Sequence, residues 1–484
     1  MVETNKQLVV VSNRLPVAIE KGDEGWTVRP SPGGLVTALA PTMREAKGLW
    51  IGWPGATDDA PADRLLTEIE GLDYRLKAVM LSDEEIAKYY RGFSNKSLWP
   101  LFHDLLGHFS FDTDNWLTYI EVNRRFAETI ARNVTKDSII WIHDYQLILV
   151  GKFLREMGLS QRLSFFLHIP FPSPDLFRRL PVSREIMEGL LEYDHVGLQT
   201  PRDSRNFIQC VKWYAPESRR MSYKRQSRIR HAGRDIKVGH YPISIDFREF
   251  AEGATDSSVA EASWYLHENL NSRTLVLGLD RLDYTKGIPE RFLAFERALE
   301  KYEELRGNIS LIQIVVPSRL YVSEYQDLKK ELDALAGRIN GRFAQHGWVP
   351  INYQFRNLDR VQLLGHYRAC EIALITPLRD GMNLVAKEYC ASQLDNRGVL
   401  ILSEFAGAAQ QLDKGALLVN PYDIDGVADA IYTAHVMPPE EREQRMKNLR
   451  TEVKRTDVRR WVKWFLEDDI VSRRDDHPEY EHQS

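Results

Sequence analysis

One pattern governs this chain: a short apolar run rich in β-branched residues, a polar turn, then an amphipathic stretch, repeated along its length. Leu8 to Ser12, Ser138 to His143 and Leu163 to His168 are such runs, and Thr274 to Asp280, Ile309 to Val316 and Glu371 to Leu378 renew the series. An apolar run that does not alternate with polar residues suits a strand covered on both faces, as in a parallel sheet between helices. Helical spacing follows at Leu35 to Ala46, Pro289 to Tyr302 and Asn383 to Gln393. Since 484 residues are too many for one such core, and the series restarts after Tyr241 to Asp246, two doubly wound α/β domains are expected.

Charge and composition exclude several classes. A net charge of −5 is small for this length and points to no dedicated nucleic-acid binder. No apolar run reaches the length of a membrane span, and no basic-then-apolar leader opens the chain, so a soluble, cytoplasmic protein with no membrane partner is expected. The three cysteines, Cys210, Cys370 and Cys390, lack metal-like spacing and are expected as reduced, packed thiols. The basic tract Arg219 to Lys237 has almost no aromatic interleaving, which favours a solvated loop or a subunit contact over nucleic acid.

The ends of the apolar runs carry the candidate chemistry, because open parallel sheets bind ligands outside the carboxyl ends of their strands. Asn13-Arg14 closes the first run, Asp144 follows His143, and His168 closes a third. Arg14 can grip an anion or be a surface arginine; His168 can meet a ligand or be a satisfied core histidine. Gly33 and Gly34 stand where the stretch Leu35 to Ala46 begins, a possible phosphate cradle unsupported by any G-x-G-x-x-G or Walker pattern. A capping serine, Ser82, with Glu85 three residues on, opens a helix leading to Tyr90 and Trp99, rings that suit a sugar face or a core equally. Arg281 and Lys286, in a loop ending at Gly287, suit a diphosphate; Arg319 is a third cation past a strand, though surface salt bridges would account for any of these singly. The run Arg379 to Glu388 joins strand to helix: Gly381 permits close approach, the amides from Met382 to Val385 open the helix, and Asp380 and Glu388 can accept from sugar hydroxyls. An ordinary solvated turn is the plain alternative.

In order along the chain, VVVSNRLPV, PGGLV, GLWIGWPG, YYRGFSNKSLWP, WIHDYQL, FFLHIPFPSPDLFRRLP, GLDRLDYTKGIPERFLAFE, AGRINGRF, TPLRDGMNLVAKEY and LSEFAGAA resemble the trehalose-6-phosphate synthase family of retaining glycosyltransferases. The resemblance covers nearly all of the chain to about Asp425. It implies an α/β fold of GT-B architecture, two Rossmann-like domains facing a central cleft: 1–246 for the acceptor, 247–455 for the nucleotide sugar, a helix at about 456–472 packing back on the first, and a flexible tail at 473–484. It implies glucosyl transfer from UDP-glucose, or another nucleotide-glucose, to glucose 6-phosphate. Transfer to glycerol 3-phosphate, as in a sister branch, or a silent regulatory homologue binding sugar phosphate are the alternatives. By motif, Arg14, Tyr90, Trp99, Asp144 and Arg319 match acceptor contacts. Gly33, Gly34, Arg281, Lys286 and Leu358 match donor contacts, as does the run Asp380, Gly381, Met382, Asn383, Leu384, Val385, Ala386, Lys387 and Glu388. His168, Arg281, Lys286 and Asp380 match the catalytic group. The resemblance implies no metal or other cofactor, so the triplets Asp112-Thr-Asp114 and Asp423-Ile-Asp425 are expected to be incidental. A homo-oligomer and a separate trehalose-phosphate phosphatase are expected as partners.

Overall fold

The computed structural model describes residues 7–23, 25–31, 33–69, 71–222, 226–270, 274–319 and 322–471. The chain forms two compact units, Met1–Ile243 with Arg459–Ser484, and Ser244–Val458.

The first unit is built on a nine-stranded sheet in the order Arg75–Ala78, Leu49–Trp53, Leu8–Arg14, Ile139–His143, Leu163–Phe166, His195–Leu198, Arg234–His240, Gln226–His231 and Arg219–Ser222. Its first seven strands are parallel, and Leu8–Arg14, Ile139–His143 and Leu163–Phe166 among them are the apolar runs read above. Leu8–Arg14 pairs with Leu49–Trp53 on one side and with Ile139–His143 on the other, so the winding reverses beside it. That reversal opens a crevice at the strand ends, where Arg14 and Asp144 emerge.

Two segments differ from the sequence expectation. The basic tract is no solvated loop: Arg219–Ser222, Gln226–His231 and Arg234–His240 form an antiparallel meander that widens the sheet. Ser227 and Ile229 are buried while Arg228 and Arg230 are not, the two-residue alternation of a strand with one covered face, which the count of charges obscured. Lys224 and Arg225 lie outside the described residues. The strand from Leu163 stops at Phe166, so His168 stands past its end.

The expected helix start at Ser82 is present as a reciprocal capping box with Glu85. Beyond it the chain winds as a wide π-helix, Ile86–Leu98, in which Tyr89 and Phe93 face the core. The helix Val458–Val471 belongs to this unit through its aromatic face. Phe465 stacks on Trp141 and His195, with ring centroids 4.5 and 4.2 Å apart, and Trp461 Nε1 donates to the Tyr241 carbonyl at 3.1 Å.

The second unit has a six-stranded parallel sheet in the order Ile351–Phe355, Ile309–Val316, Thr274–Arg281, Ile372–Ile375, Val399–Ser403 and Leu417–Val419. The same reversal falls between Thr274–Arg281 and Ile372–Ile375. Phe292, Phe295 and Leu299 of the helix Ile288–Lys301 bury one face of that sheet with Leu332 and Ile339 of Ser323–Phe343. Cys210, Cys370 and Cys390 are free and buried, and burial pushes the thiols of Cys210 and Cys390 up to about 12. Among the described residues no helix is long and apolar enough to cross a membrane.

Candidate active site

In the first unit the residues at the switch point form one aromatic and cationic group. The Arg14 guanidinium lies over the Trp53 ring, 4.6 Å from its centroid, and Tyr90 meets the same ring edge-on at 6.0 Å. Trp53 is fixed in turn by donating Nε1 to the Ala56 carbonyl at 2.7 Å. A guanidinium backed by an indole and flanked by a phenol suits a phosphate monoester. Trp53 was not singled out from the sequence; its place at the end of the strand neighbouring Leu8–Arg14 was the available signal. Trp99 is buried against His103 and Tyr145, with centroids 4.2 and 5.6 Å away, so it shapes a wall and offers little face.

Asp144 has φ 76°, a left-handed conformation costly for a residue with a Cβ, held by its own N–H donating to the Phe166 carbonyl at 2.8 Å. Its Oδ1 accepts from the His168 backbone N–H at 3.1 Å. The His168 side chain reaches back, Nε2 lying 3.1 Å from His143 Nδ1. Burial pushes His168 down to about 3, so its imidazole is neutral at physiological pH. Gly33 and Gly34 are exposed at the start of the helix Gly34–Glu45, which has no side-chain cap. Pro32 lies outside the described residues.

In the second unit Asp283 is the point of convergence. Burial alone would raise its carboxyl, but Arg319, Lys286 and Arg281 outweigh it and hold the group below the ordinary aspartate value. Arg319 Nη1 lies 3.7 Å from Asp283 Oδ2 and donates to the Tyr325 hydroxyl at 2.6 Å. Lys286 gives its ammonium to Asp380 Oδ2 at 2.6 Å, which joins the two loops of the switch point. The 281–287 loop is anchored from below by Arg291, a fully buried guanidinium. It pairs with Asp280 and donates to Gln313 Oε1 at 3.0 Å, Thr376 Oγ1 at 3.1 Å and the Lys286 carbonyl at 3.3 Å. Gly287 turns this loop into the helix Ile288–Lys301 at φ 62°, where a Cβ would lie 2.4 Å from the Thr376 carbonyl oxygen.

The run from Asp380 is braced by the segment Phe405 to Ala408. Asp380 N donates to the Phe405 carbonyl and Gly407 N to the Asp380 carbonyl, at 3.2 and 3.1 Å. Any side chain on Gly407 would collide with the Gly381 carbonyl, 1.9 Å from the position of its Cβ. Asn383, at φ 80°, caps the helix Leu384–Ser392 by accepting from Ala386 N at 3.1 Å, so that amide is occupied within the chain. Lys387 turns away from this end: it is fully buried, donates to Gln411 Oε1 at 2.7 Å, and burial pushes it down to about 7. Glu388 accepts from the Tyr367 hydroxyl at 2.6 Å, and burial raises its carboxyl. Leu358 is half-buried in the turn before the helix Arg360–Ala369, which Asp359 caps. In the acidic triplets Asp112 and Asp423 cap helices, and Asp425 pairs with Arg297 at 2.7 Å. No group of three or more His, Cys, Asp or Glu among the described residues is placed to hold a metal ion.

The sequence model of Glycosyltransferase family 20 matches residues 6–469. The chain belongs to glycosyltransferase family 20. Two curated members share long stretches with it. Trehalose-6-phosphate synthase of Mycobacterium sp. (strain JLS) is 43% identical over 96% of this chain and 96% of its own. Alpha,alpha-trehalose-phosphate synthase [UDP-forming] A of Dictyostelium discoideum is 40% identical over 96% of this chain, which spans 62% of that longer protein. Among solved structures, an alpha,alpha-trehalose-phosphate synthase (UDP-forming) from Burkholderia xenovorans in complex with glucose-6-phosphate superposes with a TM-score of 0.87. That likeness comes at 37% identity and covers 96% of this chain and 99% of the other. This family 20 member is thus a glycosyltransferase of the GT-B fold class, and each of its two compact units is built on one of the two large sheets.

Proposed function

We propose that the chain moves glucose from UDP-glucose to glucose 6-phosphate with retention at the anomeric carbon, giving α,α-trehalose 6-phosphate and UDP. The observation that carries this reading is the convergence of Arg281, Lys286 and Arg319 on buried Asp283, with Lys286 bonded to Asp380 beside a helix start. Negative charge grows on a departing diphosphate as its bond to the sugar breaks, and fixed cations answer it without reorganising. The names of the relatives supply the substrates: UDP-forming synthases, one of them bound to glucose-6-phosphate.

In this reading Arg281 and Lys286 hold the diphosphate, Asp380 and the amides from Gly381 to Val385 hold the glucose, Glu388 holds the ribose, and the backbone at Leu358 meets the uracil. Arg14 and Tyr90, braced on Trp53, take the acceptor phosphate, and Asp144 takes acceptor hydroxyls. Arg319 as a further phosphate contact, and Gly33 and Gly34 as donor contacts, follow the family resemblance. The anomeric hydroxyl of the acceptor attacks C1 of the donor glucose as the C1–O bond to diphosphate breaks, and the hydroxyl proton passes to the departing diphosphate oxygen. His168, neutral at working pH, contributes hydrogen bonding and no proton. Arg281 and Lys286 supply the positive charge, so the reaction is expected to proceed without a metal ion.

Nucleotide release from UDP-glucose and GDP-glucose, measured in chelator with glucose 6-phosphate, glycerol 3-phosphate or water and with product masses, tests the reading. UDP together with a disaccharide phosphate is the expected result. Turnover with glycerol 3-phosphate alone would reassign the acceptor, and binding without any turnover would refute catalysis.

A further inference from the structure

The strand Ile139–His143 ends in a histidine that no part of the reading above employs. His143 is fully buried; its ring lies 4.5 Å from that of Trp141 and 6.4 Å from that of Phe166. Its Nδ1 is 3.1 Å from Nε2 of His168, and its own Nε2 is sealed with no hydrogen-bond partner among the described residues. His168 differs. The residue as a whole is not sealed, and its Nδ1 is neither bonded to the protein among the described residues nor shut off from the surface.

A single hydrogen serves the contact between the rings, and the two ways of placing it are not equivalent. Were His168 to give the hydrogen from Nε2, neutral His143 would carry its own at Nε2, sealed among aromatic rings with no acceptor. A buried donor left unmatched costs roughly 1–3 kcal/mol. With His143 giving the hydrogen from Nδ1, its sealed Nε2 keeps only a lone pair, a lesser loss than an orphaned N–H. The hydrogen of His168 then sits on Nδ1, the nitrogen open to a ligand. Charging either ring is disfavoured, because burial drives both towards the neutral form, and each would repel charge on the other.

We propose that His143 is a positioning residue: it donates Nδ1–H to Nε2 of His168 and so fixes the tautomer in which His168 presents an Nδ1–H donor to an oxygen of the bound sugar. The second half rests on the reading of His168 as a sugar contact. The next residue, Asp144, grips His168 by its backbone N–H, so one strand end sets both the main chain and the ring of the other. A neutral imidazole with a fixed donor demands an acceptor oxygen, hydroxyl or ring ether, and gains nothing from a sugar that lacks one there.

The test needs no substrate. In protein labelled with 15N in its imidazoles, two-bond 1H–15N correlations report which ring nitrogen carries hydrogen, with His168 assigned by its loss in His168→Gln. The expected wild-type result is Nδ1–H on both rings; an Nε2–H form of His168 overturns the proposal, whether or not any variant folds. His143→Asn, whose amide nitrogen falls near the place of Nδ1, is expected to keep the His168 tautomer. His143→Phe is expected to release it to the Nε2–H form that free imidazoles prefer, and an unchanged spectrum there also overturns the proposal. In the transfer assay, kcat/KM for the sugar nucleotide should fall about tenfold in His143→Phe, the scale of one hydrogen bond, and recover in His143→Asn. A tautomer change in His143→Phe with unaltered transfer would uphold the hydrogen-bond polarity and overturn the placing of His168 at the sugar.

Discussion

Lys286 and Arg14 are cations held in different ways, one by a carboxylate and the other against an indole. Lys286, bonded to Asp380 and anchored through its carbonyl by Arg291, is held at the loop where leaving-group charge would gather. Removing a fixed donor from developing charge typically costs about 10²–10³ in kcat, so Lys286→Met should lower kcat on that scale and leave the KM for glucose 6-phosphate nearly unchanged. Arg14→Met should do the reverse, raising the acceptor KM roughly 10- to 100-fold by loss of a charge-assisted contact while sparing kcat. Initial rates with each substrate varied in turn would separate the two, and a shared pattern would contradict the division of roles. Residue chemistry also fixes a pH dependence. Burial holds His168 down at about 3, whereas a histidine in the unfolded chain titrates near ~6.5. Between those values the unfolded state binds the extra proton, so stability falls as pH drops below the unfolded value; by pH 5 this group alone costs about 2 kcal/mol. Urea unfolding at pH 8 and pH 5 should show His168→Asn losing less stability on acidification than the wild type. An equal loss would place the acid sensitivity elsewhere.

Elements carry these residues because strand ends are more rigid than loops, and here the helix Ile288–Lys301 adds a buried bolt. Arg291 and Asp280 are sealed from solvent and paired, and the same guanidinium reaches Gln313 and Thr376 on two other strands or strand ends. Arg291→Met leaves Asp280 buried without its partner, and breaking one side of a buried pair typically costs ~3–5 kcal/mol. The double variant Arg291→Met with Asp280→Leu should recover most of that stability by removing the stranded charge, yet not the activity, since the Lys286 carbonyl loses its anchor in both. Chemical denaturation beside the transfer assay distinguishes the two effects. The strands from Leu8, Ile139, Leu163, Thr274, Ile309 and Ile372 were legible as apolar runs because a strand covered on both faces has no polar side to show. Arg75–Ala78, half of it cationic, showed no such run, and Arg14, Asp144 and Asp380 were legible as polar residues at or past strand ends. What spacing could not convey was tertiary. Trp53, Tyr90 and Arg14 come from separate stretches, and Asp283 gains meaning only when Arg319 is folded against it. Lys387 is one helical position from Glu388, and no periodicity tells which of the two is sealed. The meander 219–240 was hidden because arginine count drew attention from the alternation beneath it.

At the scale of the molecule the chain leaves its first unit at Ile243 and returns to it at Arg459, so the second unit is inserted within the first. The returning helix is no appendage. Phe465 stacks on Trp141 and His195, Trp461 meets Phe166 edge-on, and both rings are buried. A ring lost from such a setting typically costs ~3–5 kcal/mol, from transfer and from the cavity left behind. Phe465→Ala should therefore destabilise the first unit by about that amount while Trp348 and its surroundings in the second keep their unfolding midpoint. A chain ending at Asp457 takes the argument further, because it exposes Trp141, Phe166 and His195 together on the sheet face that carries His143. It should bind a hydrophobic dye strongly, lose solubility and show no transfer activity, although every proposed contact residue remains in the sequence. Should that shortened chain unfold with the wild-type midpoint and turn over substrate, the helix would be dispensable and the first unit complete at Ile243.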